Sequence, residues 1–248
     1  MLERLAERFA AIPGVVAVTL GGSRATGTAA ADSDWDFGLY YRGTIDPDDV
    51  RALGFDGRVF APGDWGAVVN GGAWLTIDDV KVDLCYRDVE EVARWTAEAD
   101  HGRFVIHRQV GYVAGVATYV LAGELALGQV LAGSLPRPAF SPALRATAPP
   151  VWENLARGAL QFASVYAGRD EPVACLANVT QAVLAVAQAR LAADGVWALN
   201  EKRIVDAAGL ESVQRLLREP KDLPTVVAEV AAALGPIGAD SVWPPRQG

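Results

Sequence analysis

The segment that most constrains how this chain can fold is Asp34–Tyr41, in which apolar residues alternate loosely with acidic and small ones. Such alternation is typical of a β-strand that buries one face, here the face of Trp35 and Phe37. Asp34 and Asp36 then project together from the other face, where they would repel one another. A divalent cation resolves that repulsion, and Mg²⁺ favours carboxylate oxygens and commonly bridges protein to phosphate.

A glycine-rich turn precedes the two acids. Val15–Leu20 is a short run rich in β-branched residues, which predicts a buried strand, and Gly21-Gly22-Ser23 ends it abruptly. Glycine lets another group approach the backbone closely because nothing projects from its Cα. If a helix begins at Ser23, its free N–H groups face outward and can bind phosphate. Arg24 could reach the same phosphate or form a surface salt bridge.

A third acid lies in an apolar strand further along the chain. In Lys81-Val82-Asp83-Leu84-Cys85, the acid alternates with two core-like residues. A neighbouring strand that carries Asp34 and Asp36 would place Asp83 beside the same cation. Asp83 could then bind a second metal ion or act as general base on an incoming hydroxyl. A simple salt bridge to Lys81 or Arg87 is the structural alternative.

The sequence pattern changes near residue 110, where strand-like patterns give way to helix-like ones. We predict helices at Leu2–Ile12, from Asp46, and at Asp88–Ala99, with further strands at Ala73–Ile77 and Lys81–Tyr86. Later helices are predicted at Trp152–Ala167, Pro172–Ala193, Lys202–Ala208, Glu211–Arg218 and Leu223–Leu234. Gly133–Pro150 holds five prolines and predicts an irregular connection, and the end at Trp243-Pro244-Pro245 is expected to fray. The predicted fold class is α+β, with a first domain over 1–110 and an all-α domain over 111–248.

Composition and charge exclude several classes of protein. With 51% hydrophobic and 21% charged residues the chain is globular rather than disordered. The longest apolar stretches, such as Val179–Ala193, are broken by Gln and Arg, so we expect no membrane span. The N-terminus lacks the pattern of a signal peptide, and two cysteines alone predict neither disulfides nor a CxxC metal site. We therefore expect a cytoplasmic protein.

The distribution of charge argues against a long nucleic-acid partner. Net charge is −8, of which residues 1–138 carry −7 and residues 139–248 carry −1. Binding to RNA or DNA depends on neutralising phosphates with Lys and Arg, and neither half has a basic surplus. A nucleic-acid terminal transferase is therefore disfavoured.

Together, the turn and the acids resemble the DNA polymerase β-like nucleotidyltransferase superfamily. Gly22-Ser23, ten further residues, Asp34-Trp35-Asp36 and the later strand acid Asp83 follow the pattern of that family. The resemblance covers roughly residues 15–90. It implies a mixed sheet with helices packed on it, two Mg²⁺ ions and transfer of a nucleoside monophosphate from a nucleoside triphosphate. By position, Gly22 and Ser23 would hold the triphosphate, Asp34 and Asp36 would bind metal, and Asp83 would be the third ligand or the base.

A helical domain after such a core resembles the small-molecule branch, which includes the aminoglycoside- and lincosamide-modifying enzymes. This layout implies that AMP passes to a hydroxyl of a small acceptor, that pyrophosphate is released, and that 111–248 binds the acceptor. The alternative is a protein-directed, antitoxin-like nucleotidyltransferase or a binding module. Antitoxin versions are typically shorter, so the large helical half favours a small acceptor. The sequence leaves the oligomeric state open.

Residues of the second domain leave the acceptor side open. Asn200-Glu201-Lys202 opens a predicted helix, and Lys202 is either an exposed charge behind an Asn cap or a ligand to the nucleotide's phosphates. Four further residues suit either an ordinary structural position or an acceptor site: Trp152, Trp197, Glu153 and Glu171.

Overall fold

The computed structural model describes residues 2–30, 33–218 and 221–237. The strands are β1 Val15–Leu20, β2 Trp35–Tyr41, β3 Asp56–Val59, β4 Gly72–Ile77, β5 Val80–Asp88, β6 Ile106–Gln109, β7 Tyr112–Ala117 and β8 Gln129–Ala132. The helices are α1 Leu2–Ala10, α2 Gly22–Ala25, α3 Pro47–Arg51, α4 Val89–Asp100, α5 Val120–Leu127, α6 Pro142–Ala167, α7 Pro172–Asp194, α8 Ile204–Ala207, α9 Glu211–Arg218 and α10 Leu223–Leu234. The predicted frayed end at 243–245 lies outside the described residues.

Six strands form one mixed sheet in the order β3-β4-β5-β2-β1-β8, and β6 and β7 form a separate two-stranded sheet. Within the large sheet, β2 and β5 are parallel, whereas the other neighbours are antiparallel. Helices α6 to α10 follow the strands. The predicted α+β fold class, with a mixed sheet and a helical C-terminal region, is confirmed.

One face of the large sheet is the apolar core of its unit. Phe37 and Leu39 of β2 are fully buried there, and Phe9 of α1 meets the Phe37 ring edge-on at 5.1 Å between centroids. Because side chains alternate along a strand, burial of Phe37 and Leu39 turns Asp36 to the opposite face. The candidate site therefore lies on the face that the core does not use.

A buried ion pair covers the far end of that same face. The Arg87 guanidinium on β5 donates through Nε and Nη2 to the Glu124 carboxylate on α5, at 2.5 and 2.7 Å. The Arg87 side chain is 5% exposed and that of Glu124 is 27% exposed. Burial opposes the charged form, but the Glu124 carboxylate outweighs burial and raises the pKa of Arg87 above its ordinary value. The pair fastens α5 to the sheet.

Replacing Glu124 by Gln should lower the free energy of unfolding by about 2 kcal/mol, because a buried guanidinium loses its charged partner. Urea unfolding followed by circular dichroism measures the change. The matched control is Glu90→Gln, which breaks the exposed pair of Arg42 and Glu90, with side chains 62% and 73% exposed. That exposed pair should contribute well under about 1 kcal/mol. Equal losses of unfolding free energy in the two variants would show that the buried pair stabilises the fold no more than the exposed pair does.

The chain divides into two compact units. The first comprises Met1–Ala99, Phe104–Val110 and Ala117–Ala139, and the second comprises Asp100–Arg103, Gly111–Val116 and Phe140–Gly248. This division differs from the sequence-based boundary at residue 110, because β8 pairs with β1 at the edge of the large sheet. Helix α5, which precedes β8, is rich in Ala and Leu like the helices of the second unit, but it is part of the first unit with the large sheet.

Helix α6 corrects one prediction in the second unit. Residues 142–150 are helical rather than irregular, and both Pro149 and Pro150 lie inside the helix. Ser141 caps the helix by accepting a hydrogen bond from the Leu144 amide, and Pro142 occupies the first turn, where a missing N–H costs nothing. A stripe of buried residues, including Leu144 and fully buried Trp152, packs the helix against its neighbours.

Helix α7 is long and apolar enough to cross a membrane by length and composition alone. However, 56% of its most apolar window is buried inside the fold. It packs along α6, and Cys175 and Val179 are among its fully buried residues. These properties are those of a core helix.

Candidate active site

The two strand acids of the first unit are direct neighbours across the sheet. Asp36 on β2 pairs in register with Asp83 on β5. Paired residues on adjacent strands project from the same face, and neighbouring strands lie about 4.8 Å apart. The structure thus brings Asp36 and Asp83 together, and Asp34 lies immediately before β2.

The glycine turn contacts one of these carboxylates. The Gly21 amide donates to the Asp36 carbonyl at 2.7 Å, which holds the end of β1 beside β2. Gly22 has a φ of +60°, and a Cβ built on it would lie 1.8 Å from Asp36 Oδ2. Both the backbone conformation and the space therefore require glycine at this position. Helix α2 begins at Gly22, one residue earlier than predicted, and consists of a single turn that includes Ser23.

Arg24 holds the segment that leads into β2. Its Nε donates to the carbonyls of Ser33 and Asp34 at 3.1 and 3.2 Å, and its Nη2 donates to Ser33 at 2.5 Å. The guanidinium also lies over the Trp35 ring, 4.3 Å from its centroid. These contacts tie α2 to the residues around the first acid. A contact from Arg24 to phosphate stays a prediction.

The acids influence the electrostatics of their face. Cys85 follows Asp83 by two residues and points to the same side of β5. Burial raises the pKa of the Cys85 thiol to about 11; Arg87 opposes the shift, and the carboxylates of Glu124, Asp36 and Asp83 add to it. The thiol therefore stays protonated near neutral pH.

The chemistry of this donor set suits a hard divalent cation. Carboxylate oxygens are the ligands that Mg²⁺ prefers, and the ion is usually held by one or two carboxylates together with substrate phosphates and water. Among the described residues no group of three or more His, Cys, Asp or Glu side chains is arranged as a metal site. Asp36 and Asp83 therefore fit a Mg²⁺ site in which two carboxylates and the phosphates of a substrate hold the ion.

An aromatic cluster that was not predicted from the sequence borders the acids. Trp74 on β4 pairs in register with Asp83 and is 49% exposed. Its ring stacks on Trp65, with centroids 5.3 Å apart and planes at 21°, and meets Phe60 edge-on at 4.8 Å. The available signal was a tryptophan at an alternating position of a strand, between residues of the core face.

Lys202 belongs to the second unit, whereas Asp34, Asp36 and Asp83 belong to the first. It is exposed, and the Asn200 side chain accepts a hydrogen bond from its amide at 2.9 Å, as an Asn cap would. Its neighbours Glu201 and Arg203 line a mostly apolar cavity of about 310 Å³ formed by α7, α8 and α9. A role for Lys202 in nucleotide binding stays a prediction.

The other candidates of the second unit have structural positions. Trp152 is fully buried in the core, which excludes it from a pocket in this structure. Trp197 is partly buried and packs on Phe140, with ring centroids 4.5 Å apart. Glu153 is partly buried and Glu171 is exposed at the start of α7.

A family model matches the first third of the chain, and two solved structures share a remote likeness with it. Residues 2–88 match the family model of the nucleotidyltransferase domain. A nucleotidyltransferase-like protein from Exiguobacterium sibiricum 255-15 has 11% identity and a TM-score of 0.47, over 94% of this chain and 73% of that one. An aminoglycoside 6-adenyltransferase from Bacillus subtilis has 9% identity and a TM-score of 0.28, over 94% of this chain and 88% of that one. No curated protein sequence matches the chain.

The family match includes the whole of the site described above. Its residues run from α1 through the glycine turn and β2 to the end of β5, where Asp83 lies. The two solved structures are too distant to indicate a substrate. Residues 2–88 of the chain are a nucleotidyltransferase domain.

Proposed function

We propose that this enzyme is Mg²⁺-dependent and transfers AMP from ATP to a hydroxyl of a small acceptor, with release of pyrophosphate. One observation carries the proposal. Asp36 is at once the register partner of Asp83 and the group against which Gly22 packs. A turn suited to phosphate and a pair of acids suited to metal thus belong to a single site.

The roles of the chain's own residues follow from this arrangement. The backbone of Gly22 and the Ser23 hydroxyl would bind the triphosphate, since glycine allows a phosphate close to the main chain. Asp34, Asp36 and Asp83 would hold two Mg²⁺ ions. When bound, these ions neutralise the triphosphate and lower the pKa of the acceptor hydroxyl.

The reaction we propose is an in-line displacement at the α-phosphorus. The acceptor oxygen forms a new bond to that phosphorus, and the bond to the bridging oxygen of pyrophosphate breaks, so pyrophosphate leaves with the electron pair. The hydroxyl proton passes to a carboxylate, for which Asp83 is our candidate. The protein contributes chiefly by positioning the reactants and by complementing their charge.

The helical half, over 111–248, is our candidate for acceptor recognition. The charge of −8 suits a small acceptor better than a long nucleic acid. We also place the enzyme in the cytoplasm, since both Cys85 and Cys175 are free thiols.

A transfer assay tests the proposal. The protein is incubated with Mg²⁺, with each of the four α-³²P-labelled ribonucleoside triphosphates, and with a panel of hydroxyl-bearing small molecules. We expect pyrophosphate release, label on one acceptor and a preference for ATP, all abolished by EDTA. Label on a co-purifying protein would favour the protein-directed alternative. Absence of transfer and of Mg²⁺-dependent ATP binding would contradict the proposal.

Replacing Arg24 by Lys separates two roles for this residue. If the guanidinium positions Ser33 and Asp34, lysine cannot reproduce its planar fork or its stacking on Trp35. We then expect the rate of transfer to fall about tenfold, as far as in Arg24→Ala. If Arg24 supplies only a positive charge to phosphate, Arg24→Lys should stay near the wild-type rate and only Arg24→Ala should be impaired.

A further inference from the structure

A single row of side chains crosses four strands of the sheet on the site face. Arg58 on β3 pairs with Trp74 on β4, which pairs with Asp83 on β5, which pairs with Asp36 on β2. Residues in direct register project from the same face. The Trp74 ring is therefore the immediate neighbour of the acid that we propose accepts the acceptor's proton.

Trp74 is exposed yet held rigidly. Half of its surface is open to solvent, while Trp65 stacks beside it and Phe60 contacts both rings. The Trp65 ring packs closely over Gly72, where a Cβ would lie only 2.8 Å from the ring. A side-chain amide of Gln109 also donates to the Trp65 carbonyl. The cluster of Phe60, Trp65 and Trp74, here termed the aromatic platform, thus presents a fixed flat surface.

The aromatic platform and the glycine turn lie on opposite sides of the acids. Along the sheet the order is β4 with Trp74, β5 with Asp83, β2 with Asp36, and then the end of β1 with Gly22. An in-line displacement needs the attacking oxygen on the side of the phosphorus opposite the leaving pyrophosphate. If the triphosphate lies at Gly22, the acceptor must approach from the side of Trp74.

We propose that the aromatic platform binds the ring of the acceptor, and that the acceptor is a cyclic molecule with a flat apolar face. That face is either the C–H face of a sugar or cyclitol, or an aromatic ring. It would lie on Trp74 and present a hydroxyl to Asp83. This inference rests on the proposed function, since it names the class of acceptor for the same site.

A purely structural role for Trp74 is less consistent with these observations. Cross-strand aromatic pairs do stabilise sheets, but a tryptophan that serves packing alone usually buries most of its ring. Here the core face of β4 is already occupied by Ala73, Leu75 and Ile77, all buried. A half-open indole beside a catalytic acid matches the rigid aromatic anchors that binding sites use.

Steady-state kinetics of Trp74→Ala and Trp74→Phe provide the first test. With an acceptor found in the transfer assay, Trp74→Ala should raise the acceptor KM about tenfold or more, with little change in the KM for ATP. Trp74→Phe should recover most of the affinity because it restores an aromatic face. Thr76→Ala, an exposed position on the same face of β4, is the matched control and should leave both constants unchanged.

A rise in the KM for ATP with an unchanged acceptor KM would overturn the inference and assign Trp74 to the nucleotide base. Unchanged constants in Trp74→Ala would overturn it as well. Thermal unfolding of both Trp74 variants should show a folded protein, so that a kinetic change reports on binding.

Fluorine NMR of protein labelled with 5-fluorotryptophan tests binding without turnover. The signal of Trp74 among the seven tryptophans is identified by its loss in Trp74→Phe. Methyl α-D-glucopyranoside, kanamycin and p-cresol are the cyclic probes, and sorbitol is the open-chain control, all added with Mg²⁺ and α,β-methylene-ATP. A shift of the Trp74 signal with a cyclic probe but not with sorbitol supports the inference and distinguishes a sugar or cyclitol face from an aromatic one.

The two methods separate the inference from the proposed function. A shift of the Trp74 signal without transfer to any acceptor would support the aromatic platform and count against the proposed reaction. Transfer with no shift by any probe and no change in acceptor KM would leave the reaction standing and overturn the platform. A shift caused by the nucleotide analogue alone would also overturn it.

Discussion

Replacing Asp36 by Asn should lower the rate of nucleotidyl transfer by at least about a hundredfold, because it removes a carboxylate that we propose as a metal ligand, a role worth several kcal/mol to the transition state. Asn has nearly the same shape, so the register with Asp83 and the hydrogen bond from Gly21 should persist. We expect the melting temperature to stay within a few degrees of the wild type. Asp34→Ala should be similarly inactive.

The control for this prediction is Asp79→Asn in the turn between β4 and β5. Asp79 is exposed and has a φ of +62°, a conformation that Asn adopts readily. This variant removes one negative charge from the hairpin that carries Asp83 without touching the site, so its rate should equal that of the wild type. Near-wild-type transfer in both Asp34→Ala and Asp36→Asn would remove the basis for the metal-binding assignment.

Gly22→Ala is the second change with a large expected effect. An alanine Cβ at this position would lie 1.8 Å from Asp36 Oδ2 and 2.7 Å from its Cγ, so the carboxylate must rotate away. The φ of +60° adds backbone strain of about 1 kcal/mol for a residue other than glycine. We expect transfer to fall by about a hundredfold, since the displaced carboxylate no longer faces Asp83.

Gly27→Ala is the control that separates the clash with Asp36 from the backbone strain of a positive φ. Gly27 has a φ of +72°, but nothing lies within 4 Å of a Cβ built on it. Both alanine variants should therefore lose stability in urea unfolding, Gly22→Ala by more because it also has the clash, whereas only Gly22→Ala should lose activity. If the two variants had equal rates, contact between Gly22 and Asp36 would have no catalytic importance.

The strands that carry the acids could be predicted because their signal is local. Alternation around Asp36 and Asp83 indicates a half-buried strand at each position, and the structure has β2 and β5 there. The direct register between the two acids could not be predicted in the same way. It depends on the parallel pairing of two strands that are distant in sequence, and no local pattern specifies that pairing.

Edge strands and the prolines of α6 limited the prediction elsewhere. Strand β8 has four residues and lies at the edge of the sheet, so its pattern is short and weakly constrained. Pro149 and Pro150 usually indicate a break, but packing of the buried stripe along α6 outweighs their local preference. Trp74 was missed for a related reason, because only its position beside Asp83 distinguishes it from a core tryptophan.

The central claim is that Asp36 and Asp83 form one metal site at the end of the glycine turn. Electron paramagnetic resonance of Mn²⁺, a substitute for Mg²⁺, measures this directly in the presence of α,β-methylene-ATP, which cannot release pyrophosphate. We expect wild type and Asp79→Asn to bind Mn²⁺ equally, and Asp36→Asn and Asp83→Asn each to bind it at least about tenfold more weakly. Wild-type affinity for Mn²⁺ in both Asp36→Asn and Asp83→Asn would contradict the claim.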